Sequence, residues 1–224
     1  VDEDKDLAVR AARLLQETAG IRRGAQIRLT KRIPAGGGLG GGSSDAAAVL
    51  KGLNTLWNTQ LSETRLMDMA AQLGSDVPFF IKGGTALCKG RGEIVTPLEV
   101  RRRFSYVILY PNIKISTASV YKNLKIDLTK KRKDVSFILD ALSSDNVNAL
   151  NISLFNRLEE AALELYPELR RYKSLLESYL SDGVLLSGSG SAIYGHCKNQ
   201  REAKNVKEQL DKLGIEKAFV VSNL

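Results

Sequence analysis

A single histidine, His196, and two cysteines, Cys88 and Cys197, are the only imidazole and thiol groups in 224 residues. One histidine rules out a multi-histidine zinc site. A Ser-His-Asp triad would have to be built on it, and it stands in a strand-like stretch, SAIYGHC, where a surface or edge-strand histidine is the plainer expectation. Two cysteines so far apart in sequence point to a reduced, intracellular protein, with a single disulfide as the alternative. No apolar run approaches the roughly 18 residues that span a bilayer. There is no internal repeat and no low-complexity linker. The opening residues, VDEDKDLAVR, are charged and helix-like, unlike a secretory signal. They lack a starting Met, so the chain is expected to begin partway into a larger protein.

Acidic residues are the minority charge: 25 Asp and Glu against 33 Lys and Arg, a net charge of +8. A basic surface suits anionic partners such as nucleotides, phosphorylated metabolites or nucleic acid. The densest runs are RRRF at 101–104 and KKRK at 130–133. Neither carries interleaved aromatics, so both read as solvated loops, with RNA contact as the alternative.

Along the chain, Asp4 to Thr18 has helical spacing and Gly20 can stop it. AQIRLTKRI (25–33) alternates and reads as a strand. Ser43 or Ser44 can cap a helix to about Trp57, and Ser62 begins another with Leu66, Met69, Ala70 and Leu73 on one side. VPFFI (77–81) and GTALCKG (84–90) read as strand segments, GRGEIVTPL (91–98 with Gly90) as a turn and a strand. FSYVILYP is an apolar strand ended by Pro111. Helices are expected over Thr117–Leu124, Asp134–Leu142, Ser153–Leu165, Pro167–Leu180 with Pro167 at its first position, and Gln200–Leu213. GVLLSGSGSAIYGHC reads as strand, tight turn, strand, and KAFVV as a closing strand. The fold class is α+β, the second half built on a small antiparallel sheet.

What is abundant is glycine: 19 residues, six of them among the seven from Gly36 to Gly42. Ordering glycine loses more backbone entropy than ordering any other residue, and only Leu39 in this run has a side chain to bury. A strand-like stretch, a glycine loop and a helix start together make an anion site: successive N–H groups can face one phosphate at the positive end of a helix. A flexible linker is the bland alternative, but linkers seldom run straight into an alanine-rich helix. A Walker A loop fails because Gly42 is followed by Ser43, not Lys. A dinucleotide fingerprint fits Gly36-x-Gly38-x-x-Gly41, yet its acidic partner would be Glu63, in a helical pattern. A protein-kinase loop lacks its HRD and DFG segments.

KRIPAGGGLGGGSSDAAAVLKGLN resembles the phosphate-binding motif of the GHMP kinases. LGSDVPFFIKGGTALCKGRGE resembles the family segment that carries the catalytic aspartate, and LLSGSGSAIYG the glycine-rich third motif. The three occur in family order across nearly the whole chain. The resemblance implies a two-domain GHMP-kinase fold: a ribosomal-protein-like first domain over 1–102, incomplete at its first strands, and a ferredoxin-like C-terminal domain over 103–224. It implies ATP with Mg²⁺, and an alcohol on a cytidine-diphosphate-linked methylerythritol as acceptor, phosphorylated at its 2-hydroxyl in non-mevalonate isoprenoid precursor synthesis. A different small alcohol, or a non-catalytic nucleotide- or RNA-binding module, are the alternative readings. With a small-molecule substrate, no nucleic acid and no membrane are expected as partners, in a bacterial cytoplasm or a plant plastid.

By resemblance, Pro34, Ala35, Gly36, Gly37, Gly38, Leu39, Gly40, Gly41, Gly42, Ser43 and Ser44 would wrap the ATP phosphates. Asp76 would be the catalytic aspartate that accepts the hydroxyl proton; read without the family, GSDVP is ordinary turn chemistry. Gly188, Ser189 and Gly190 would bring a tight turn to the phosphates. Thr117 and Tyr121 would line the cytidine end, Tyr121 by stacking or, alternatively, as a plain helix-face residue. Asp45 is open: a helix-start residue, a side chain turned from the nucleotide, or one acting through a cation. Metal ligands are not specified. The family also has an N-terminal strand with a catalytic lysine and a Gly-Tyr-His segment, and neither is found here. Lys31 and Lys51 stand at the wrong places in the motif order to replace that lysine. The resemblance therefore implies that these 224 residues alone bind ATP weakly and transfer phosphate poorly.

Overall fold

A computed structural model describes residues 4–100, 102–125, 135–144, 146–180, 183–215 and 217–223. The chain divides into two compact units: 1–35 with 40–99, and 36–39 with 100–224. Arg101 and the KKRK run lie outside the described residues, as does Asp134 at the expected start of a helix.

The first unit holds α1 (Leu7–Thr18), α2 (Gly41–Leu56), α3 (Glu63–Leu73), α4 (Val77–Lys82) and an antiparallel hairpin of β1 (Thr85–Lys89) and β2 (Ile94–Leu98). Asp6 opens α1 by accepting the Ala8 N–H at 2.8 Å, and Ser62 opens α3 through the Arg65 N–H. The helices bury Leu15, Leu50, Met69 and Val77 completely.

Two expected strands are absent from this unit. Residues 21–33 form no regular element, and Ile27, Leu29 and Ile33 are each about two-fifths exposed. Alternation marks a strand only when a neighbour completes its ladder, and no described strand pairs with this stretch. VPFFI is α4, a helix. A short apolar run fits a buried strand or a buried helix equally, and Pro78 in the first turn favours the helix.

The second unit holds β3 (Ser105–Leu109), α5 (Thr117–Lys122), α6 (Ser136–Ser143), α7 (Val147–Ser153), α8 (Glu159–Leu165), α9 (Leu169–Glu177), β4 (Val184–Leu186), β5 (Ile193–Cys197), α10 (Gln200–Lys212) and β6 (Ala218–Ser222). Its sheet has the order β4-β5-β3-β6, every pairing antiparallel. With helices between β3 and β4 and between β5 and β6, this is the split β-α-β of ferredoxin-like folds. Val107, Leu109 and Ile193 face α9 and α10, where Leu176 and Leu210 are fully buried. Tyr106, one residue out of phase with Val107, packs on the other face with Phe104 and the α6–α7 pair. The helix expected over 153–165 begins only at Glu159, as α8, because α7 ends at Ser153, Leu154 turns extended and Asn156 spends its side chain on the backbone of Leu158, Leu186 and Gly188. Pro167 precedes α9 by two residues, with Glu168 at the cap.

His196 is neither on the surface nor on an edge. It is 4% exposed in β5, an inner strand, bonded through Nδ1 to the Asn151 side chain and ringed by Phe104 and Tyr106. Burial, then the Arg102 guanidinium, lowers its pKa from 6.5, against a smaller opposing pull from Glu202. The unfolded chain therefore takes up this proton more readily than the fold does. Stability is expected to be constant above about pH 6.5 and to decline as pH falls through that value. Thermal melts between about pH 7.5 and 5, with the imidazole titration followed by NMR, check this; a midpoint above 6.5 would contradict it.

Candidate functional site

The helix of the glycine motif starts earlier than its serines suggest. Gly40, at φ 66°, is the N-cap of α2 and offers no side chain. The Ser44 N–H is the first to bond back, to the Gly40 carbonyl at 2.8 Å. Ser43 and Ser44 thus lie inside the first turn rather than capping it, and the Ser44 hydroxyl donates to the Gly41 carbonyl. The N–H groups of Gly41, Gly42 and Ser43 are left for an outside acceptor, at the positive end of a 16-residue helix. This is the chemistry of a phosphate site.

Lys31 is brought to the same place. Its ammonium pairs with the Asp45 carboxylate, and a Cβ built on Gly41 would lie 3.8 Å from Lys31 Nζ. In this fold Asp45 pairs with a cation beside the start of α2. Spacing gave no sign of the pair, because its members stand 14 positions apart and residues 32–40 between them form no regular element.

Asp76 stands at the N-cap of α4, exposed, and its side chain makes no capping bond. No described residue hydrogen-bonds its carboxylate. One turn on, Phe80 places its ring against Gly40, where a Cβ would fall 2.5 Å from the ring edge. Residues four apart share a helix face, so Asp76 belongs to the face of α4 that meets the start of α2. The carboxylate also acts on Cys88 in β1: partial burial and then the Asp76 charge raise that thiol's pKa.

In the second unit the residues 36–39 lie on the turn after β4. The Ala192 N–H donates to the Gly37 carbonyl at 3.0 Å and the Ser187 hydroxyl to the Gly38 carbonyl at 2.8 Å. Gly38 has φ 72°, and a Cβ there would meet the Ser187 carbonyl oxygen at 2.1 Å. Gly188, Ser189 and Gly190 form the turn itself, and the Thr117 and Ser189 hydroxyls bond at 2.8 Å. Asn156 fixes this turn from below through the Leu186 and Gly188 carbonyls. Sequence reasoning passed over Asn156; an amide interrupting the apolar rhythm of SLFNRLEEAA was the available signal. Tyr121, on α5, is 60% exposed. Pro34 and Ala35 precede the loop and belong with the first unit.

No three His, Cys, Asp or Glu side chains among the described residues converge on a metal position. No helix among the described residues is long and apolar enough to cross a membrane.

Comparison with known proteins follows the same two segments. The model of the GHMP kinases N terminal domain matches residues 6–84, and that of the GHMP kinases C terminal matches 130–216. The chain is 42% identical over 205 residues to 4-diphosphocytidyl-2-C-methyl-D-erythritol kinase of Geobacillus thermodenitrificans, covering 92% of this chain and 70% of that protein. To the enzyme of the same name from Caldicellulosiruptor bescii it is 38% identical over 208 residues, covering 93% and 73%. Among solved structures, a 4-(cytidine 5'-diphospho)-2C-methyl-D-erythritol kinase superposes with a TM-score of 0.83 at 36% identity, over 97% of this chain and 78% of that one. A homoserine kinase from Cytophaga hutchinsonii gives 0.82 at 23% identity, over 100% and 77%, and speaks for the fold alone.

Proposed function

The chain belongs to the GHMP kinase family, and from that premise we propose that it carries the parts of a small-molecule kinase as follows. It is a 4-diphosphocytidyl-2-C-methyl-D-erythritol kinase: ATP gives its γ-phosphoryl group to an alcohol of that cytidyl substrate, here assigned to the 2-hydroxyl, in isoprenoid precursor synthesis. The observation that carries the reading is the uncapped start of α2, with Phe80 laying the Asp76 face of α4 against it.

The triphosphate lies along 34–44, its oxygens taking the N–H groups of Gly41, Gly42 and Ser43. Lys31 adds a positive charge at that position. Asp76 accepts the acceptor's hydroxyl proton as the oxygen attacks, which leaves the protein to position and to stabilise charge. Its exposed carboxylate fits that task, since it makes no capping bond that would have to be displaced. Gly188, Ser189 and Gly190 close the phosphate side, and Thr117 and Tyr121 take the cytidine end, Tyr121 by stacking. Mg²⁺ bound together with the nucleotide would supply charge neutralisation on the transferring group, and the Ser43 hydroxyl, in the first turn of α2, would help to hold it.

The direct test is transfer of label from γ-³²P-ATP to the cytidyl substrate. Absence of transfer to it, with transfer to mevalonate or homoserine instead, would overturn the substrate assignment. Lys31→Ala is expected to weaken ATP binding about 10-fold, and the loss should shrink at high salt because the charge is partly exposed. Calorimetric titration of ATP at low and high salt measures it, and unchanged affinity would remove Lys31 from the phosphate site.

A further inference from the structure

We propose that Glu93 is a positioning residue for Asp76, acting through the turn between β1 and β2; this rests on the reading of Asp76 as the proton acceptor. No hydrogen bond from a described residue orients the Asp76 side chain, so its place follows from the peptides on either side. On one side, the Val77 N–H closes a turn onto the Gly74 carbonyl at 3.2 Å. On the other, the β1–β2 turn lies flush against the preceding residue: a Cβ on Gly92 would stand 3.0 Å from the Ser75 carbonyl oxygen and 3.7 Å from Ser75 Cβ. α4 itself packs on β2. The turn is thus the wall behind the peptide that carries Asp76.

Glu93 gives that wall its shape. Its carboxylate accepts the Arg91 N–H at 2.7 Å, while the Gly92 N–H bonds to the Lys89 carbonyl at 3.0 Å. A Cβ on Gly90 would sit 2.8 Å from Glu93 Oε1, so the carboxylate is folded back against its own turn. Its pKa is lowered, first by its own N–H and then by that of Arg91, with smaller help from the Arg91 charge and the Gly92 N–H, against a burial contribution that raises it. A carboxylate that accepts the Arg91 N–H and packs back against Gly90 is a fixed insert at a hairpin tip that would otherwise consist of two glycines and an arginine. It touches neither nucleotide nor acceptor; its effect passes through Gly92 and Ser75.

Glu93→Ala is expected to lower kcat with ATP and the cytidyl substrate by about 10- to 100-fold, the loss that a small misplacement of a reacting group produces. KM for ATP should stay within about twofold, and Glu93→Gln, whose amide oxygen can still accept the Arg91 N–H, should recover about half of the logarithmic loss. The second readout is independent of turnover. Cys88 is the exposed thiol and Cys197 the buried one, so iodoacetamide alkylation across pH reports on Cys88. Asp76→Asn should shift that alkylation profile to lower pH in the parent chain, and should shift it clearly less in the Glu93→Ala background. Equal shifts in both backgrounds, or an unchanged kcat in Glu93→Ala, overturn the proposal. Full turnover in Asp76→Asn would instead sink the reading of Asp76, whether or not the thiol profiles show Glu93 placing its carboxylate.

Discussion

Asp76→Asn lowers the rate of phosphoryl transfer by about 10²- to 10⁴-fold, the range that general-base catalysis contributes, while ATP affinity changes by no more than about threefold. The side chain keeps its size and can still accept a hydrogen bond from the acceptor hydroxyl. What it loses is the ability to take the proton. Because Asp76 makes no capping bond and is exposed, the fold depends little on it. What the variant loses in stability is its charge at the start of α4, about 0.3–1 kcal/mol. Rapid-quench single-turnover kinetics measure the chemical step, and a thermal melt checks that the fold survives. A variant that transfers phosphate at the parental rate would remove Asp76 from the mechanism and leave a nucleotide-binding loop without a base.

The sequence made the second unit more legible than the first. SYVIL, IYGHC and AFVVS each have neighbours on both sides or a clear edge role, so pattern and pairing agree. The α10 stripe of Ala203, Val206 and Leu210 is equally plain. Residues 25–33 show the same alternation, yet a strand is a property of two segments, and one sequence window does not reveal whether the second is present. VPFFI was unreadable for a different reason: five apolar residues carry no period. His196 was misplaced because a polar residue in a strand pattern suggests an edge, while the Asn151 side chain that satisfies it lies 45 residues away.

For the site the limit was distance along the chain. The glycine loop declared its chemistry locally, since only glycines and a helix start are needed. The Lys31–Asp45 pair, the Phe80 ring over Gly40 and the Asn156 support beneath Gly188 all depend on contacts that no local pattern encodes. The serines misled about the start of α2 for the converse reason. Ser is a favoured cap by its side chain, but here the cap is a left-handed Gly40, and an empty cap is what leaves amides for a ligand.

Two alanine substitutions in that loop separate backbone strain from close approach. Gly36 and Gly38 share φ 72°, so an alanine at either must hold a left-handed conformation at about 1–2 kcal/mol. Around Gly36 a new Cβ meets nothing within 4 Å, whereas at Gly38 it would fall 2.1 Å from the Ser187 carbonyl oxygen and 2.9 Å from that of Gly190. Both neighbours are backbone and cannot rotate aside, so the loop itself has to move. It then gives up the Ser187 hydroxyl bond to Gly38 and the Ala192 N–H bond to Gly37, each worth about 0.5–1.5 kcal/mol. Gly36→Ala is therefore expected to weaken ATP binding about 10-fold or less, and Gly38→Ala by at least about 100-fold. Circular dichroism should show both variants folded, because neither position contributes to the helical core around Leu15, Leu50 and Met69. Titration with ATP decides between them. Equal, small losses would mean that the contact of the loop with the Gly188 turn is irrelevant to nucleotide binding, and the cradle would then reduce to the open amides of α2 alone.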